Sequence, residues 1–163
     1  MNRLLAITVV LALPFLLIAA PTPDEDTAKG KKVDFDVHNG HFEKNNSDLK
    51  GDSSYVVFSD RDAFDKVFGL GRVMGKQNFV PKDAFDKKMV VAVIKRAKAL
   101  TEYKVEKVTA DEGTLYIQYT AKTGDPGSAT FHTPLIVSVD KDNYKKVVFI
   151  ENGKKVDTVK IAK

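Results

Sequence analysis

The chain has 163 residues, the length of one domain with a short leader, and contains no Cys. Disulfide staples, thiol nucleophiles and thiolate metal sites are therefore excluded, and folding has to rest on a hydrophobic core. Its 26 Lys and Arg against 22 Asp and Glu give a formal charge of +4, interspersed along the chain. They lack the Arg and aromatic clustering of a nucleic-acid face, so no nucleic-acid partner is expected.

The first twenty residues, MNRLLAITVVLALPFLLIAA, read as a signal peptide. Arg3 is the charged start, Leu4 to Ile18 is an apolar run interrupted by Thr8 and Pro14, and Ala19 and Ala20 are small enough for cleavage. The run is short for a membrane span, which needs about 20 apolar residues. The expectation is export to the periplasm or beyond, with no membrane attachment after cleavage. Residues 21–32, PTPDEDTAKGKK, are polar and lack aromatics, the composition of a flexible leader. Residues 33–163 are then one domain.

In that domain Val33, Phe35 and Val37 alternate with Asp34 and Asp36, predicting a half-buried strand. His38-Asn39-Gly40-His41 reads as a solvated hairpin turn. EKNNSDLKGDSS reads as a polar loop, and Tyr55 to Phe58 as a short buried strand. The pentapeptide DAFDK occurs twice, at Asp62–Lys66 and Asp83–Lys87. The first copy begins a helix capped by Ser59 or Asp60, with Phe64, Val67 and Phe68 on one face and Gly69 as the left-handed stop. The second has room for about two turns before MVVAVI. The flanks differ, and repeat architectures need about 20 residues or more of self-similar unit, so the match is not an internal repeat.

Met89 to Ile94 is apolar on both faces and predicts a central strand. Glu102 to Val108 changes phase, as at a bulge, and Asp111-Glu112-Gly113 turns into Leu115 to Tyr119. TGDPGS is a loop; Phe131, Thr133, Leu135, Val137 and Val139 alternate down a long strand. After a turn at Lys141 to Tyr144, Val147 to Ile150 and Lys154 to Ile161 flank Asn152-Gly153, a type I′ hairpin signal. The expected fold is α+β and β-rich: about seven or eight mostly antiparallel strands, in a twisted sheet or partly open barrel, with one short helix.

Three stretches, YVVFSDRDAFDKVF (Tyr55–Phe68), DAFDKKMVVAVIKR (Asp83–Arg96) and YKVEKVTADEGTLYIQYTAKTGDPG (Tyr103–Gly127), together resemble the C-terminal domain of PrcB-type protease-complex subunits, a domain also found alone in exported bacterial proteins. HTPLIVSV and VVFIENGKKV fit that family's ending more loosely. The family's Pro-Thr-Gly-Gly-Tyr-like turn is replaced here by Lys98 to Tyr103, where only Tyr103 matches. The resemblance implies a non-catalytic accessory domain with no catalytic residue to carry over. Its implied partner is another envelope or secreted protein, such as an envelope or surface protease.

The residues themselves offer few alternatives. His38 and His41, with Asp36 and Glu43 nearby, are the candidates for a metal or small-ligand site, but zinc needs three or four convergent ligands and a turn points successive side chains apart. No metal or cofactor is therefore expected. His132 is the candidate base for a hydrolase, yet Ser128 and Ser138 lie outside any G-x-S-x-G elbow, and Ser138 would stand about 20 Å along the strand from it. Gly69 to Gly75 follows a helix instead of opening one, unlike a phosphate loop. Asp140 to Asn143 lacks the Gly and Glu of an EF-hand loop. Phe42, Phe79 and Tyr144 are aromatics in polar surroundings and, with Tyr103, the one match to the family's turn, are the candidate partner anchors.

Overall fold

The computed structural model describes residues 30–71 and 75–161. In chain order its elements are β1 (Lys31–Lys32), β2 (Phe35–His38), β3 (His41–Glu43), β4 (Ser53–Phe58), α1 (Arg61–Val67), β5 (Phe68–Leu70) and α2 (Ala84–Lys87). Then follow β6 (Lys88–Ala97), β7 (Thr101–Asp111), β8 (Thr114–Thr123), β9 (Phe131–Asp140), β10 (Lys146–Glu151) and β11 (Lys154–Lys160). They form a five-stranded sheet in the order β1-β7-β8-β10-β11, a four-stranded sheet β2-β9-β6-β4, and a two-stranded ribbon β3-β5.

Alternation places the core. Met89, Val91 and Val93 of β6 and Leu135, Val137 and Val139 of β9 pack with Val108, Leu115, Ile117, Tyr119, Val147 and Phe149 of the larger sheet. The other face of β6, with Val90, Ala92 and Ile94, packs with Phe58, Phe64, Phe68, Val80 and Phe85. The strand predicted to be apolar on both faces is thus central, between β9 and β4, and buried from both sides. The chain leaves the larger sheet after β8, builds β9 into the smaller one, and returns as β10, which lands parallel to β8.

The local signals hold. The phase change in β7 is a bulge between Val105 and Lys107. Glu112-Gly113 and Asn152-Gly153 both take positive φ, at 46°, 76°, 50° and 77°, as a type I′ turn requires. Asp60 caps α1 by accepting from the Ala63 N–H at 2.8 Å. Asp60→Ala is expected to cost about 1 kcal/mol, read as a lower urea midpoint; an unmoved midpoint would show that the cap is dispensable.

Other expectations are corrected. The described residues form eleven strands and two helices, and the sheets do not close into a barrel. The excess over seven or eight comes from two- and three-residue strands, too short to show a period. The leader's last residues are ordered: Lys31 and Lys32 pair with Ala110 and Thr109. The signal peptide and residues 21–29 lie outside the described residues. Gly69 is not a left-handed stop, because the chain goes directly from α1 into β5 through the extended Phe68. The His38 to His41 turn is not a hairpin either, since β2 pairs with β9 and β3 with β5.

Candidate functional site

The ribbon β3-β5 is the most chemically loaded element. It is lengthened by Gly71 N–H donating to the Gly40 carbonyl and Lys44 N–H to the Val67 carbonyl, both at 2.8 Å. Side chains along β3 alternate, so His41 and Glu43 point into the body and Phe42 points out. Phe42 rests on glycine backbone: a Cβ on Gly69 would lie 2.7 Å from its Cζ, and one on Gly71 3.3 Å from its Cδ1. That floor needs residues without side chains, which is the physical reason for Gly69. The ring is still 47% exposed, and Leu70, opposite His41 at the ribbon's end, is 65% exposed.

Glu43 was expected in a polar loop, yet only 1% of its side chain is exposed. It accepts from Arg96 twice, at 2.5 Å and 3.0 Å, from Ser47 Oγ at 2.5 Å, and stands 2.7 Å from His132 Nδ1. Arg96 and His132 are register partners on β6 and β9, so both reach out from the same face of the smaller sheet toward β3. Arg96 also donates to the Gly51 carbonyl and Ser54 Oγ, each at 2.9 Å. Burial pushes the Glu43 carboxyl up, but the donors from Arg96 and Ser47 outweigh it and hold it below its ordinary range. Chemically this is a clamp of ribbon to sheet, with an imidazole oriented by a carboxylate on its exposed side. Ser138, a candidate partner for His132, instead shares a hydrogen bond with His38 Nε2, at 2.8 Å.

His38 and His41 are both buried, which corrects the expectation of a solvated turn. The covering comes from residues 76–81, which lie across them. His38 lines a cleft of about 350 Å³ with Asp36, Asn78, Lys88 and Ser138, where Asp36 pairs with Lys88 at 2.5 Å. That bond with Lys88 holds Asp36 below its ordinary value. His41 Nε2 accepts from the Val80 N–H at 3.1 Å, and its ring meets Phe64 and Phe79 edge to face at 5.2 Å and 5.6 Å. Burial holds both imidazoles below their ordinary range, so both are neutral at pH 7. Among the described residues no group of three or more His, Asp or Glu is placed to hold a metal ion. His38 Nδ1 is closed to solvent and faces the Asn78 and Phe79 backbone without a well-aligned hydrogen bond.

The other three candidate anchors are half-buried. Phe79 lies against His41 and over Gly40, whose φ of +82° and missing Cβ admit the ring. Tyr103 packs on the core and donates to the Thr133 carbonyl at 3.0 Å; burial pushes its hydroxyl up. Tyr144 packs on the same core. The sequence held one signal for the clamp: reading His41-Phe42-Glu43 as a strand puts His41 and Glu43 together on the inner face. Compared with known protein families, curated proteins and solved structures, the chain matches none.

Proposed function

We propose that the protein is an exported, non-catalytic interaction module that grips another envelope or secreted protein through Phe42 and Leu70. The observation that carries this reading is Phe42 itself. Its ring is fixed from below by two glycines and clamped through the neighbouring Glu43, yet half of it stays in water. A rigid aromatic costs little further ordering on binding, and such residues dominate interface energies. Export rests on the apolar first twenty residues, and the resemblance to PrcB-type domains makes an envelope or surface protease the first partner to try.

The test is a cross-linking capture. Purified protein recovered from the exported fraction is immobilised and exposed to the producing cell's envelope and secreted proteins. The expected result is one enriched protein, identified by mass spectrometry, that a Phe42→Ser, Leu70→Ser double variant captures at least about tenfold less, the loss of one hot spot. Equal capture by the folded variant, or no enrichment by the native protein, would remove the reading.

A further inference from the structure

Residues 76–81 form a strap stitched over the corner between β2 and β3. The Asn39 side chain donates to the Lys76 carbonyl at 3.1 Å and accepts from the Asn78 N–H at 2.6 Å. Asn78 returns its carbonyl to the Asn39 N–H at 3.0 Å and its side-chain amide to the Val37 carbonyl at 2.6 Å. These last two bonds occupy main-chain groups at the free edge of β2, the outermost strand of the smaller sheet. At its far end the strap is held by His41, which accepts the Val80 N–H, and by Arg61, which donates to the Val80 and Pro81 carbonyls at 3.3 Å and 3.5 Å.

We propose that His41 is a proton-sensitive catch: when it takes up a proton the strap lifts and uncovers the edge of β2. The catch depends on the direction of one hydrogen bond. The Val80 N–H can donate to Nε2 only while that nitrogen keeps its lone pair. Protonation puts an N–H where the acceptor was, so two donors face each other in a buried site. The surroundings do not rescue the cation. From α1 come Arg61 and Asp65, and these are already paired with each other at 2.8 Å. From β2 comes His38, whose own neighbours are Asp36, Lys88, Ser138 and the strap's own backbone at Asn78 and Phe79. From β5 there is only the Gly69 backbone, which favours the charged form, and Phe64 and Phe79 fill the remaining sides. Once the strap is off, the Val37 carbonyl and the Asn39 N–H lose the partners that Asn78 gives them. This device stands apart from the ribbon's anchors and does not depend on them.

The sign follows from the buried imidazole's resistance to protonation. The closed form keeps its full advantage above the ordinary imidazole range. As pH falls below about 6.5 the open form takes the proton first, and opening grows by up to about tenfold per pH unit until the closed form also titrates. Two nuclear magnetic resonance measurements on the native protein test this. Long-range imidazole spectra at pH 7.5 are expected to show His41 as the Nδ1–H tautomer. Amide exchange across residues 76–81, corrected for the intrinsic pH dependence of exchange, is expected to lose protection from pH 7 to 5 while β6 and β8 keep theirs. His41→Gln, whose carbonyl accepts the Val80 N–H without titrating, is expected to abolish the loss. An Nε2–H tautomer, a strap that opens only together with β6 and β8, or the same loss in folded His41→Gln would overturn the proposal. If His41→Gln does not fold, the two measurements on the native protein decide it.

Discussion

Arg96→Ala is expected to destabilise the fold by about 3–5 kcal/mol, because it leaves the Glu43 charge buried without its main partner. Glu43 has 1% of its side chain in solvent, so water cannot replace the two lost donors. His132 and Ser47 remain, but each supplies a single contact to the carboxylate. The loss is a large share of the roughly 5–15 kcal/mol that holds an ordinary domain together. It also carries a pH signature. In the native protein the carboxyl lies below its ordinary value of 4.5, so its contribution is present above that value and is lost as pH falls through the folded pKa. Without Arg96, burial dominates and pushes the carboxyl up, so Glu43 takes up its proton at a higher pH and the acid limb of stability flattens. Urea titrations of both proteins from pH 2.5 to 8 measure this. A cost under about 1 kcal/mol, the scale of an exposed pair, would mean that Glu43 is solvated. Removing both partners, as Glu43→Leu with Arg96→Met, is expected to recover most of the loss, since two well-packed apolar residues leave no charge stranded.

The clamp shows where sequence reading stops. Strand signals that live within a few residues were legible: the alternation from Phe131 to Val139, the phase slip before Val108, and Asn152-Gly153. Partnership was not. Nothing near His38 says that it meets Ser138, a hundred positions on. Nothing near His41 says that Val80, 39 positions on, will cover it, and a histidine beside Asn-Gly otherwise looks like a solvated turn. Gly69 shows the same limit from the other side. A glycine after a helix has a common local reason, the left-handed stop. Here the reason is distant: the ring of Phe42 lies on it. Three-residue strands such as β3 and β5 present barely one alternation, so the ribbon that carries Phe42 had no period to read. The long strand β9 had one, from Phe131 to Val139, whereas β6 is apolar on both faces and announced its central place by that instead.

Phe64→Ala is expected to cost about 3–5 kcal/mol, the range for emptying a fully buried aromatic site. Phe64 has no exposed surface, and its ring meets those of Phe58, Phe68 and Phe85 at 5.5 Å, 4.9 Å and 5.7 Å, besides His41. Around it are α1 from one DAFDK and α2 from the other, so the two pentapeptides are neighbours in space although they are not a repeat. Each delivers its Phe to the same cluster on the outer face of the smaller sheet. The copies differ in depth. Phe85 is at the cluster's margin, with Phe64 as its ring partner, so Phe85→Ala is expected to cost less. A double-mutant cycle decides whether the two act as a pair. Coupling of about 0.5–1.5 kcal/mol, the scale of an aromatic contact, is expected from urea midpoints of the two single variants and the double. Additive costs would separate the helices energetically and leave α2 as a spacer before β6. Phe64→Ala should also reach the strap. Its ring is one wall of the His41 site, so the imidazole loses an edge-to-face partner at 5.2 Å.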